Sequence, residues 1–159
     1  MIRITIIALA SLKEKYLREA AAEYSKRLSA YSNLKIIELE PVRLSEKPSS
    51  AEIVSALERE AELIAKKIPA GDFVVPLCIE GKQLSSEEFA NVLDKEINIG
   101  RGITFIIGSS CGLADSIKNR ADLKLSFSKM TFPHQLFRVM LLEQIYRAFK
   151  IITGGAYHK

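Results

Sequence analysis

Cysteine is scarce in this chain. Only Cys78 and Cys111 occur among the 159 residues. Two thiols are too few for a disulfide framework, so a reducing cytoplasmic compartment is the expectation. Long apolar runs are missing too, and none approaches the roughly 18 residues of a membrane span. The opening MIRITIIALASLKEKY lacks the length and the small-residue cleavage site of a signal peptide, and reads better as a first strand. No His, Cys, Asp or Glu cluster has metal-ligand spacing, so no metal site is expected. GSSCG at 108–112 lacks the GK[ST] of a phosphate-binding P-loop, and GxGxxG is absent, so a phosphate-rich cofactor has no support. There is no internal repeat, low-complexity tract or linker.

What is present describes one globular domain over residues 1–159, with 48% hydrophobic and 26% charged residues. Acidic residues are unevenly spread. Residues 1–99 carry 14 Lys/Arg against 16 Asp/Glu, a balance of −2, and residues 100–159 carry 9 against 3, a balance of +6. A local basic excess suits a surface that meets a polyanion such as RNA, and is equally the solvated charge of an ordinary basic protein.

Strand and helix patterns alternate along the chain. IRITIIAL (Ile2 to Leu9), LKIIEL (Leu34 to Leu39), FVVPLCI (Phe73 to Ile79), ITFII (Ile103 to Ile107) and DLKLSFS (Asp122 to Ser128) read as strands. Pro76 implies an edge position or a local break in pairing. Glu80-Gly81-Lys82 reads as a turn. Three capping boxes, at Ser11/Glu14, Ser49/Glu52 and Ser85/Glu88, open helices expected to reach about Tyr31, Ile68 and Ile97. The expected apolar stripes are Leu12, Tyr16, Ala20, Tyr24 and Leu28 on the first helix, and Val54, Leu57, Ala61, Ile64 and Ala65 on the second. The second helix's charged side is expected to face water. The alternation predicts an α/β layer fold, with a mainly parallel sheet and helices on both faces.

In such sheets ligands bind beyond the carboxyl ends of strands. The ends at Leu77 to Gly81, Gly108 to Gly112 and Phe127 to Pro133 are therefore the candidate pocket. Cys111 is a candidate nucleophile there, although no histidine is locally placed to activate it. The last helix, from about Pro133 to Ile152, has a polar stripe of Glu143, Arg147 and Lys150 and is apolar over most of the rest. That argues for cover by a second subunit, hence a homodimer packed through this helix. Arg138 lies among the apolar residues, as an interface ion-pair residue or a substrate group. The Ala-Tyr-His-Lys end is either frayed or a source of a stacking ring, an imidazole and a phosphate contact.

Several blocks carry a family resemblance: IRITIIALASLKEKYLREAAAEYSKRL, LCIEGKQLSSEEFA, FIIGSSCGL, LSFSKMTFPHQLFRVMLLEQIYRAF and the final AYHK. The whole chain resembles the SPOUT-class methyltransferases that modify a pseudouridine of large-subunit ribosomal RNA, the RlmH family. The resemblance implies a C-terminal deep trefoil knot holding S-adenosyl-L-methionine. Leu77, Gly108 and the run Phe127, Ser128, Lys129, Met130, Thr131 and Phe132 would bind that cofactor. It implies methylation of N3 of a pseudouridine in helix 69 of 23S ribosomal RNA, on the ribosome as partner. Arg147 would meet substrate or transition-state charge, Tyr157 would position the base, and His158 would handle the proton or contact RNA. His134 follows the cofactor loop and would hold the turn there. The family usually has a second glycine where this chain has Ser109. The alternatives are a SPOUT enzyme acting on tRNA or another ribosomal nucleotide, and a non-catalytic ribosome-binding module.

Overall fold

The computed structural model describes residues 1–158. The phosphate contact expected of Lys159 lies outside the described residues. Five strands and five helices alternate: β1 (Ile2–Ala8), α1 (Lys15–Leu28), β2 (Ser32–Glu38), α2 (Ser50–Ala65), β3 (Phe73–Gln83), α3 (Ser86–Asn98), β4 (Ile103–Ile107), α4 (Asp115–Asn119), β5 (Leu125–Ser126) and α5 (His134–Ile152). All pairs among these strands are parallel and the order is β2-β1-β4-β3-β5. Among the described residues no helix is long and apolar enough to cross a membrane.

The two-residue period of the strands divides the core. On one face Ile4, Ile6 and Ala8 of β1 join Ile103, Phe105 and Ile107 of β4 beneath α1, α3 and α5. On the other, Ile7 and Ile106 meet Ala61 and Ile64 of α2 and Ile117 of α4. The expected parallel sheet with helices on both faces is what the chain forms.

Several local expectations are corrected. Ser11 and Glu14 make no capping box, because α1 begins at Lys15 without a side-chain cap. The preceding turn is instead held from outside, where Gln135 Oε1 accepts from Lys13 N at 2.9 Å. The buried stripe of α1 is Leu17, Ala21 and Leu28, and Tyr16 is 66% exposed. On α2, Ser49 accepts from Glu52 N, but Val54 faces water and Glu60, on the side read as solvated, is buried. The Ser85/Glu88 box forms in full. Pro76 marks a break in pairing, not a sheet edge: β4 pairs with β3 up to Pro76, and β5 pairs from Leu77 onward. Glu80 to Lys82 lies within β3, at an irregularity where Leu77 and Lys82 both align with Leu125.

Much of the apolar surface of α5 is covered within one chain, while Leu136 is exposed and Phe137, Val139 and Met140 are half-buried. Leu141, Leu142, Ile145, Ala148 and Phe149 are buried within one chain, with α1 and α3 packed along α5 above the sheet. Arg138 is neither an intersubunit pair nor a free substrate group here. It is 3% exposed and donates to Glu38 Oε2 at 3.0 Å and to the Ala10 carbonyl, tying α5 to the ends of β1 and β2.

Candidate active site

The strand order places β4, β3 and β5 side by side, so their carboxyl ends meet. They enclose a cleft of about 360 Å³. Leu77 to Glu80 line it from β3, Gly108 to Leu113 from the loop after β4, and Leu125 to Ser128 from β5 onward. Met130, Thr131, Phe132, His134 and Phe137 complete the wall. Of the residues expected to hold a cofactor, Leu77, Gly108, Phe127, Ser128, Met130, Thr131 and Phe132 line this cleft, and Lys129 stands exposed beside it.

The glycine loop is shaped by its own backbone. Gly112 N donates to Ser109 O at 2.9 Å, closing a tight turn, and Gly112 has φ +88, the left-handed region glycine favours. A Cβ at residue 108 would press on the Gly112 carbonyl, with its carbon 2.7 Å away. Glycine is thus needed at 108 so that the loop can fold back. Ser109 is buried, and its Oγ donates to Glu60 Oε1 at 2.8 Å, while Glu60 Oε2 accepts from Val42 N at 3.0 Å. A carboxylate on α2 therefore anchors the loop at Ser109. A charged residue in a helix gave no sequence signal of this burial.

Two charged groups reach the cleft together. Lys118 Nζ lies 2.5 Å from Glu80 Oε1. Each stabilises the other's ionised form, so the Glu80 carboxyl is lowered and the Lys118 ammonium raised by their shared bond. Burial pushes the nearby Cys78 thiol up. Cys111 is exposed on the loop and is not in a disulfide.

A second cleft, of about 520 Å³, lies on the other side of the β5 loop. It shares Leu125, Ser126, Phe127 and Phe132 with the first, and is otherwise bounded by α1, α3 and α5, including Tyr24, Ser86, Met140 and Glu143. Beside it Arg147, Tyr157 and His158 converge, through a carboxylate. Glu143 Oε1 accepts from Arg147 Nε at 3.0 Å, from Arg147 Nη2 at 2.5 Å and from the Tyr157 hydroxyl at 3.2 Å. The Arg147 guanidinium sits 4.8 Å from the Tyr157 ring centre, and Tyr157 packs edge-on against Tyr146. Its bond to Glu143 keeps Arg147 charged. Burial first, then Tyr24 and Glu143, push the Tyr157 phenol up to about 12. His158 lies between Arg147 and Glu87 of α3. Through residue 158 the tail is thus docked, not frayed. The i,i+4 spacing of Glu143 and Arg147 was legible in the sequence; the part played by Glu87, 71 residues from His158, was not.

A parallel α/β sheet with a ligand-sized cleft at its carboxyl ends and a docked tail defines a small-molecule-using α/β protein. A family profile described as "Predicted SPOUT methyltransferase" matches residues 2–158. The chain belongs to the SPOUT methyltransferase family. It is 51% identical over 157 residues to "Ribosomal RNA large subunit methyltransferase H" of Carboxydothermus hydrogenoformans, covering 98% of this chain and 99% of that one. The protein of the same name from Caldicellulosiruptor saccharolyticus is 49% identical over 156 residues, with 98% and 99% coverage. Among solved structures, a probable methylase family protein from Haemophilus influenzae shares the fold at TM-score 0.53 and 14% identity, over 96% of this chain and 67% of that one.

Proposed function

We propose that this chain is an S-adenosyl-L-methionine-dependent methyltransferase that methylates N3 of a pseudouridine in helix 69 of large-subunit ribosomal RNA. The observation that carries the reading is the near-full-length identity, about half of all positions, to relatives named ribosomal RNA large subunit methyltransferase H. The composition of the first cleft supports the cofactor. Leucines and phenylalanines suit an adenine ring, the Ser110, Ser128 and Thr131 hydroxyls suit ribose and carboxylate, and among the described residues of its lining the one lysine or arginine, Lys118, is already paired to Glu80. Such a cleft suits a ligand with no phosphates, and its volume is in the usual range for small-molecule sites.

Leu77, Gly108 and the Phe127–Phe132 segment would hold the cofactor, with Lys129 at the segment's exposed face. Bound there, the cofactor supplies an electrophilic methyl group on sulfonium. The protein's task is to orient the base and move one proton. Arg147 meets the negative charge that develops on the uracil ring as its imide proton leaves. Tyr157 stays a neutral phenol at physiological pH, so it orients the base by contact and hydrogen bonding instead of accepting a proton. His158 handles the proton. His134, at the start of α5 on the cleft wall, holds the turn after the cofactor segment. The two clefts share Leu125, Ser126, Phe127 and Phe132, so cofactor and substrate groups adjoin one another at the β5 loop. A deep trefoil knot through the C-terminal segment, a homodimer that contacts the ribosome with its basic C-terminal half, and a cytoplasmic location belong to the same reading.

Modified-nucleoside mass spectrometry of ribosomal RNA treated with pure protein and cofactor is the direct test. The expected product is 3-methylpseudouridine; a methyl group on tRNA or on another ribosomal nucleotide would replace the substrate assignment. Calorimetry separates the non-catalytic module, since a folded protein that fails to bind S-adenosyl-L-methionine is not this enzyme. Deleting Ala156 to Lys159 is expected to leave cofactor binding intact and to abolish methyl transfer. Unimpaired turnover by that truncation would remove the tail from the site.

A further inference from the structure

The two nitrogens of His158 have different neighbours. Nε2 is 2.7 Å from Glu87 Oε1, in the first turn of α3, and Nδ1 is 3.3 Å from Arg147 Nη1 on α5. A guanidinium has only donors and a carboxylate only acceptors. The ring nitrogen that faces Arg147 must then be the one with the lone pair, and the ring proton must sit on Nε2, donated to Glu87. Among the described residues the other charged or titratable groups beside these are Glu143, which holds Arg147 in place, and Tyr157, whose hydroxyl bonds Glu143 and whose ring lies under Arg147.

We propose that Glu87 is a positioning residue for methyl transfer: it holds the proton of His158 on Nε2 and so keeps the Nδ1 lone pair as the acceptor for the imide proton of the substrate base. This rests on the function proposed above and names the proton acceptor within it. Few groups need to move. When Arg147 turns from Nδ1 to the oxygen of the developing imidate, the same movement exposes the Nδ1 lone pair. The N3–H bond then breaks, and its proton passes to Nδ1. Its electron pair forms the N3–CH3 bond, and the pair of the cleaved S–CH3 bond stays on sulfur. The resulting imidazolium carries both ring protons, one still directed at Glu87, whose negative charge stabilises it. The bond from His158 is the leading cause that lowers the Glu87 carboxyl, which keeps it ionised for this role.

The test reads the tautomer as well as the turnover. The chain has two histidines, so ring-nitrogen spectra of protein labelled with 15N-histidine are assigned by comparison with His158→Gln. At mildly alkaline pH, without cofactor or RNA, the wild-type ring is expected to show a protonated Nε2 and an unprotonated Nδ1, and Glu87→Ala is expected to mix the tautomers. In methyl-transfer assays Glu87→Ala should lower kcat on the order of tenfold to a hundredfold, less than the roughly 10²–10⁴-fold that a general base itself contributes, because the acceptor is misdirected and not removed, with cofactor Kd unchanged. Glu87→Gln keeps a carbonyl acceptor for Nε2–H and should recover most of the tautomer preference and part of kcat. An Nδ1-protonated wild type, or Glu87→Ala with unchanged kcat, would overturn the proposal, as would Glu87→Gln being as impaired as Glu87→Ala. A wild type that transfers no methyl group to ribosomal RNA overturns the function reading and this role with it. The tautomer spectrum, which needs neither ligand, tells that failure from a wrong assignment of the ring proton.

Discussion

Removing the Ser109 hydroxyl tests whether α2 anchors the loop after β4. Ser109→Ala keeps the Cβ and opens almost no space, but deprives Glu60 Oε1 of its 2.8 Å donor. Glu60 is only 4% exposed, so water cannot readily take the hydroxyl's place, and Val42 N on Oε2 is its other bond. Hydrogen bonds to charged groups contribute about 1.5–3 kcal/mol, and this one is deeply placed, so a loss of roughly 2 kcal/mol of stability is expected. Glu60→Ala removes both bonds, orphans Val42 N and leaves a void, for about 2–4 kcal/mol. Because the two changes delete one shared contact, the double variant should fall short of the sum by about 1 kcal/mol or more. Urea denaturation at constant slope reads these values. Calorimetry with S-adenosyl-L-methionine reads the function, since a loop released from α2 must be ordered on binding, and affinity should weaken severalfold. Ser109→Ala within about 0.5 kcal/mol of wild type, or strict additivity with Glu60→Ala, would refute the anchor.

Glu38→Ala strips the partner from the buried Arg138 charge. Because Glu38 itself is 46% exposed and water can partly replace it, the expected loss is about 2–3 kcal/mol, below the full range for a buried pair. Arg138→Met removes the charge with most of the volume and should cost less than Glu38→Ala in the same urea assay. Tyr157 gives a pH signature. Its pKa rises from 10.0 to about 12 on folding, so its contribution to stability is fully present below pH 10 and is lost as pH rises through about 12. Tyrosinate absorbance should show a late-titrating group that Tyr157→Phe abolishes, and a titration unchanged by that substitution would contradict the burial assigned to the phenol.

Where burial follows a short local period, the fold was legible. β4 reads ITFII and every residue in it is buried, with alternate side chains entering opposite faces of the sheet. The one-sided cap at Ser49 and the full box at Ser85 mark helix starts because their partners lie three residues away. Ser11 misled because the segment it begins is held by Gln135, 122 residues on from Lys13, so a long-range contact outweighed a local cap. On α1, Leu28 is core as expected and Leu12 and Tyr24 pack against it, but Tyr16 is apolar enough to resemble core and yet projects into water beside the buried Leu17. The apolar girth of α5 was real, but α1, α3 and the sheet of the same chain cover much of it, leaving Leu136 exposed, a division no one-dimensional pattern reveals. In the site, Arg147 and Glu143 were visible as helix neighbours. Glu60 and Glu87 were not: each matters through a partner brought close only by the crossovers between strands.

Gly81 shows how little tolerance the cleft at the strand ends has. It lies in β3 where the register with β5 shifts, and its φ lies outside the left-handed region, so backbone preference does not demand glycine there. The demand is steric. A Cβ would lie 2.7 Å from the Leu125 carbonyl carbon and 2.8 Å from that of Lys124, and backbone cannot swing aside as a side-chain tip does. Lys82 N also donates to Lys124 O at 2.8 Å, fixing the two segments at this spacing. Gly81→Ala must therefore push β5 outward, at about 1–3 kcal/mol for overpacking. β5 is two residues long and runs directly into Phe127–Phe132, so the displacement passes into the cleft wall. Weakening of S-adenosyl-L-methionine binding by tenfold or more is expected. Gly71→Ala is the control: it has open space around its Cβ but φ +81, so it should cost about 1–2 kcal/mol of backbone strain. It precedes β3, at the strand end away from the cleft, and should leave cofactor affinity unchanged. If both variants lose stability and Gly81→Ala still binds the cofactor with wild-type affinity, the β5 segment does not shape that site.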